Sequence, residues 1–221
     1  SVYEGVLNAA RDRRVAWRSA RENDVVDIDG VRLTVLSPDD DEIAGAPDAN
    51  AASVVVMAEF RGVRILLTGD AERDVEARLS ARLGGNLRAD VLKVGHHGSA
   101  TSTTAPLLDA VAPRLALVSV GAGNRYGHPN TQVMDALRSR GVHAIRTDDV
   151  GTIVVSIDGS DAFHAVVLHA SSQAVTGKTW TGGKAEHADV PLHERRMESV
   201  TTSHRIRCVA LDGPREPLHP G

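Results

Sequence analysis

The sequence predicts an α/β layered fold, on three observations. Short β-rich runs alternate with amphipathic helical segments from about residue 25 to residue 168, which is the pattern of strands and helices packed in layers. Several runs, such as Val54-Val55-Val56-Met57 and Ile65-Leu66-Leu67, are apolar throughout, as suits strands buried on both faces. Polar clusters collect where strands end, the place where α/β sheets build their sites. The 221 residues and 23.4 kDa are enough for one domain with a sizeable core.

Each element follows from its own pattern. Val2, Val6, Leu7 and Ala10 fall at helical spacing and predict a short first helix. Val25–Asp29 and Val31–Leu36 are β-rich runs joined at Asp29-Gly30, a hairpin turn. Residues 38–52 hold Asp39, Asp40, Asp41, two prolines and several alanines, and read as a solvated loop. The runs 54–57 and 63–67 form strands about a turn at Arg61-Gly62. Asp70 then opens a helix over Ala71–Leu83, with Val75, Leu79 and Leu83 on one face, stopped by Gly84-Gly85. The alternation continues with strand Val91–Val94, helix Pro106–Val111, strand Leu115–Val120, helix Thr131–Arg140 and strand Val142–Arg146. Thr152–Ile157 and Ala162–Leu168 close the series as a hairpin about residues 158–161. Past His169 apolar residues thin out, from 42% overall to 15 of the last 51. Residues 1–169 therefore read as the domain, and 170–221 as a polar, flexible tail.

Composition excludes several classes. With 42% hydrophobic and 24% charged residues the chain is neither disordered nor collagenous, and no apolar run approaches the roughly 20 residues of a membrane span. Net charge is 25 − 29 = −4, and Phe, Trp and Tyr number two each, so no basic groove with many stacking rings is built into the chain as a whole. Cys208 stands alone, which removes intrachain disulfides and cysteine-based zinc knuckles. Thr176-Gly177-Lys178-Thr179 resembles part of the phosphate loop G-x-x-x-x-G-K-S/T. Its first glycine position holds Ser172 and no helical pattern follows, so nucleotide binding is not expected there. The chain opens on Ser1, without a basic-then-apolar leader, and reads as a processed or excised start.

Three strand-end clusters carry the candidate chemistry: Thr68-Gly69-Asp70, Gly95-His96-His97-Gly98-Ser99, and Tyr126-Gly127-His128-Pro129. Taken alone, Asp70 suits a helix N-cap. Adjacent histidines between glycines are harder to explain by packing, and neutral imidazoles with a carboxylate are the atom types that bind zinc, manganese or iron. His128 suits a ligand, a proton donor to a leaving group, or a turn residue. The remaining histidines read as structural or solvated.

Arg64 through Asp70, Ala89 through Ser99, and Ser119-Val120-Gly121 with Asn124-Arg125-Tyr126-Gly127-His128-Pro129 together resemble the metallo-β-lactamase-fold domain of the ComEC family of DNA-internalisation competence proteins. Arg146-Thr147-Asp148 and Gly151-Thr152-Ile153 look like that family's closing strand pair, so the resemblance runs from about Val25 to Ile157. It implies a four-layer αββα sandwich with a two-metal centre, zinc or manganese, hydrolysing phosphodiesters of DNA. By resemblance Asp70 is the bridging aspartate, His96 a late metal ligand with His97 adjoining it, and His128 and Tyr126 the catalytic pair lining the cleft. Ser99 and Asn124 would bind substrate, and Asn50 and Ser53 would precede the central strand. One departure stands out. The fold's H-x-H-x-D-H ligand loop is absent among the ten histidines, the first of which is His96. The chain thus looks like the C-terminal portion of such a domain, with an incomplete metal site. Three functional expectations follow: a hydrolase in the intact parent, a non-catalytic truncated remnant, or another phosphoesterase of the superfamily. The resemblance also implies a membrane-attached parent with this domain outside the membrane. The expected partners are DNA, the missing N-terminal half of the domain, and a second copy meeting an exposed apolar sheet face.

Overall fold

The computed structural model describes residues 2–157, 163–171, 174–182, 193–196 and 206–210. Helix α1 (Val2–Asp12) precedes a hairpin of β1 (Val25–Ile28) and β2 (Val31–Ser37). Asp29 and Gly30 both take positive φ, 50° and 84°, as a two-residue turn matched to strand twist requires. Helix α2 (Asp40–Gly45) follows, then a second hairpin, β3 (Val55–Phe60) and β4 (Val63–Leu67), turning at Arg61-Gly62. From here helices separate the strands: α3 (Arg73–Leu83), β5 (Val91–Lys93), α4 (Ala105–Val111), β6 (Leu115–Val118), α5 (Thr131–Ser139) and β7 (His143–Arg146). A one-turn helix α6 (Thr147–Val150) leads to β8 (Thr152–Ile157) and β9 (Phe163–Ser171). The last described strands are β10 (Ala174–Gly182), β11 (His193–Arg196) and β12 (Ile206–Ala210).

The first seven strands form one sheet in chain order, antiparallel through β4 and parallel from β4 to β7. Hairpins suffice for the antiparallel part, whereas parallel neighbours need the crossover helices α3, α4 and α5. A second, antiparallel sheet runs in the order β11-β10-β9-β8-β12. Two cores lie on opposite faces of the seven-stranded sheet. On one face Met57, Leu66, Leu92 and Val118 pack against Leu79, Leu107 and Leu137 of the helices. On the other, Phe60, Ile65, Val91, Leu115 and Leu117 meet Ile153, Val155 and Phe163 of the second sheet. Neighbours such as Ile65 and Leu66 thus enter different cores, the reason their runs are apolar without alternation. The described layers are helix, sheet and sheet.

Several expectations meet a different outcome. Residues 38–52 are not all loop, because Asp39 and Glu42 form a reciprocal capping box that starts α2. Asp70 is not an N-cap: α3 begins at Arg73, and its cap position is Glu72, without a side-chain cap bond. Where composition reads a polar tail, β10, β11 and β12 are strand. Val175, Thr176, Thr179, Trp180 and Thr181 are strand-forming residue types, and a backbone ladder does not need high apolar content. Lys178 lies within β10, so the lysine of the partial phosphate loop sits in a strand, not at a helix start. The turn at 158–161 lies outside the described residues. The apolar sheet face is covered by the second sheet in part; beside β1 and β2 an open hollow of about 250 Å³ persists, lined by Ile28, Val31, Leu33, Phe60 and Ile65. Among the described residues no helix is long and apolar enough to cross a membrane.

Candidate functional site

The three predicted clusters converge at the carboxyl ends of β4, β5 and β6, and backbone bonds lock them together. The Gly69 carbonyl accepts from Lys93 Nζ at 2.9 Å and from the His96 amide at 3.1 Å, while Thr68 Oγ1 donates to the Lys93 carbonyl at 2.8 Å. Gly69 has φ +56°, and a Cβ there would stand 3.2 Å from the Val54 carbonyl, so backbone conformation and close approach both favour glycine. Burial pushes the Lys93 ammonium below its ordinary pKa, with the charge of Asp70 opposing the shift.

His96 and His97 both occupy the left-handed region, φ 44° and 56°, an uncommon state for two consecutive non-glycine residues. The turn is held from behind. The Gly95 amide donates to Thr103 Oγ1 at 3.1 Å, and Ser102 Oγ donates to the Gly95 carbonyl at 2.7 Å. Gly95 leaves little room for a side chain, since its Cβ would meet the Ala71 carbonyl and Ser102 Cβ at 3.2 Å. Glu76, at 0% exposure, accepts from the Thr103 and Thr104 amides at 2.5 and 2.8 Å and so anchors the same loop. Its burial raises the carboxyl pKa, and the two amides work against the rise.

The turn sets out two acid–imidazole pairs. His97 Nε2 is 3.5 Å from Asp70 Oδ1, and its Nδ1 lies 2.6 Å from the Ser119 carbonyl. A carbonyl only accepts, so Nδ1 carries the proton. His96 Nδ1 is buried 2.9 Å from Glu72 Oε1, at an angle outside hydrogen-bond geometry, and Asn50 Nδ2 donates to the same oxygen at 3.3 Å. The His96 and His97 rings are 6.3 Å apart and steeply inclined. His128 stands 5.9 Å from His96, and Tyr126 stacks on His128 at 6.0 Å and 20°. Desolvation, then the nearby His96 and His97, hold the His128 pKa below its ordinary value.

Every candidate residue therefore reaches this edge, in differing states. Ser99 is buried and its hydroxyl is engaged with Thr101 Oγ1 at 2.9 Å, which makes it part of the turn. Asn124 clamps its own loop: Oδ1 accepts from the His128 amide at 3.0 Å and Nδ2 donates to the His128 carbonyl at 2.6 Å. Ser53 lies against Gly69. Glu72, Lys93 and Glu76 were not singled out by sequence reasoning. Glu72 carried a signal, a second carboxylate two residues past Asp70; Glu76 carried none, since its partners lie 27 and 28 residues away.

The donors do not by themselves fit a two-cation centre. Among the described residues no three His, Cys, Asp or Glu side chains gather where one ion would sit, and two protein ligands leave most of a coordination shell to water. The edge gathers two carboxylates, three imidazoles and the Tyr126 ring.

The chain is 39% identical over 153 residues to ComE operon protein 3 of Bacillus subtilis (strain 168), covering 68% of this chain and 19% of that protein. Over 151 residues it is 35% identical to competence protein ComA of Neisseria gonorrhoeae, covering 68% and 20%. Over 108 residues it is 39% identical to recombination protein 2 of Haemophilus influenzae, covering 49% and 13%. No family model matches. These relatives point to a competence-protein family, and the chain spans about a fifth of the length of the first two.

Proposed function

We propose that this chain is part of a competence-type protein of DNA uptake and that, as an isolated unit, it is non-catalytic: a portion of a hydrolase-like domain without a complete metal-ligand set. The observation that carries this reading is the division of the acid and imidazole groups into two pairs, Asp70 with His97 and Glu72 with His96, unjoined by a third donor among the described residues. Tight coordination of zinc takes three or four protein ligands. Calorimetry and elemental analysis of the purified chain with zinc or manganese are expected to give weak, substoichiometric uptake. Two tightly held ions per chain would overturn the reading.

A second reading is favoured by the meeting of Asp70, His96, His97 and His128 at one sheet edge. In it the intact parent is a metal-dependent phosphodiesterase acting on DNA, with a four-layer αββα sandwich completed by further parts of a membrane-attached parent, and this domain outside the membrane. Asp70, His96 and His97 would then be joined by ligands from those parts, with zinc or manganese supplying Lewis acidity when bound. The full-length parent should lose DNA hydrolysis on combining Asp70→Ala with His96→Ala. Unchanged activity in the double variant would remove these residues from the reaction, and faster turnover of small phosphoesters would shift the substrate to another phosphoesterase class.

A further inference from the structure

We infer that Lys93 is a positioning residue: its ammonium fixes the Gly69 carbonyl and thereby holds the Asp70 carboxylate against His97. The use of that pair in chemistry rests on the second reading above, whereas the geometry belongs to this chain whatever its parent does.

Lysine is uncommon in this chain, and its place here is unusual. There are 22 arginines and three lysines, and Lys93 is the one lysine before Lys178. In register it lies between Leu67 of β4 and Leu117 of β6, both packed at the inter-sheet core. Side chains alternate along a strand, so Lys93 shares a face with Val91 of that core, while Leu92 and Val94 enter the core on the helix side. A half-buried cation thus stands in a row of aliphatic side chains. Taking a charge from water is costly unless polar partners replace the water, so a cation kept in such a row points to a role beyond packing.

The polar partners lie at the junction of two loops. Lys93 Nζ donates to the Gly69 carbonyl at 2.9 Å, and the His96 amide donates to the same oxygen at 3.1 Å. That oxygen is where the loop of Asp70 meets the turn of His96 and His97. A single donor leaves the peptide between Gly69 and Asp70 free to tilt about the bond, whereas two donors fix its plane and the direction in which Asp70 leaves it. Asp70 Oδ1 then stands 3.5 Å from His97 Nε2, and the Ser119 carbonyl, 2.6 Å from Nδ1, holds the other side of the ring.

The choice of lysine in an arginine-rich chain fits this task. A guanidinium is a planar fork of five donors suited to several acceptors, whereas an ammonium is a compact charge that serves one carbonyl beside one carboxylate. The charge of Asp70 favours the protonated form of Lys93 against the effect of burial, so cation and carboxylate sustain each other across the Gly69 peptide.

The test is a double-mutant cycle read in the nitrogen NMR spectrum of the His97 imidazole, with the full chain at one pH and one salt concentration. Asp70→Asn should shift the His97 Nε2 signal in the wild type. In Lys93→Met, which keeps the length of the side chain without its charge, the same substitution should give about half that shift or less. Leu117→Ala opens a cavity beside Lys93 in the same row; it should lower the unfolding midpoint and leave the shift whole, which separates positioning from stability. A full response to Asp70→Asn in Lys93→Met would overturn the inference, as would an equal loss of response in Leu117→Ala. Should Lys93→Met fail to fold, the wild type decides: a slowly exchanging Lys93 ammonium signal, coupled through the hydrogen bond to the Gly69 carbonyl carbon, is expected. Exchange as fast as that of a free lysine would overturn the role. Both readouts concern this chain alone, so the role of Lys93 can fail while DNA hydrolysis by the parent stands, and a parent without hydrolysis would leave the role of Lys93 intact.

Discussion

Glu76 is a fully buried acid whose two carboxylate oxygens each accept one backbone amide, from Thr103 and Thr104. Glu76→Ala would strand both amides, at about 1–3 kcal/mol for each buried group left unpaired, and should cost about 2–6 kcal/mol in denaturant unfolding. The acid also links stability to pH. Burial raises its pKa in the folded chain, so between the unfolded and the raised folded pKa the folded state holds the extra proton. Its contribution is complete below the unfolded pKa and is lost as pH rises through the folded one. Glu76→Gln removes that titration, and its stability should be flatter than the wild type's across this window; equal slopes would assign the titration to another group. Gly98 makes a steric prediction. At φ +84°, with Pro129 Cβ and Cα 2.5 and 3.0 Å from a new Cβ, Gly98→Ala should destabilise by about 1–3 kcal/mol and shift the loop of Tyr126 and His128, read from denaturation and from the imidazole NMR signals.

Helix α2 shows how a short element persists on its ends. Asp39 Oδ1 accepts from the Glu42 amide at 2.7 Å, Glu42 Oε2 accepts from the Asp39 amide at 3.1 Å, and Glu42 Oε1 accepts from Arg78 Nε of α3 at 2.9 Å. Asp39→Ala should cost about 0.5–2 kcal/mol, and hydrogen exchange should show α2 opening before the sheet does. The capping signal D-x-x-E was present in the sequence but outweighed by the prolines and alanines around it. The boundary of α3 was less legible. Asp70 follows an apolar strand and precedes a helical pattern, which is how an N-cap looks in one dimension. Its loop instead turns through the left-handed Gly69 and delays the helix to Arg73, and this frees the carboxylate to face His97.

The whole molecule depends on two cores that share one sheet. Phe163, fully buried among Ile153, Val155 and the strands of the larger sheet, belongs to the inter-sheet core. Phe163→Ala should cost about 3–5 kcal/mol and lower the unfolding midpoint of both sheets together; a separate early transition would mean that the second sheet is a distinct unit. The alternation of runs, the apolar strands, the turn residues at Asp29-Gly30 and Arg61-Gly62, and the three polar strand ends were determined by the sequence alone. Those features are local, set by side-chain period and by which residues tolerate positive φ. The tertiary structure decided the rest: that Glu72 and not Asp70 meets His96, that Glu76 anchors a loop 27 residues away, that Ser99 is spent on its turn, and that Tyr126 is left open. Each depends on where distant segments meet, and the energy of such meetings resides in burial and geometry that no local pattern encodes.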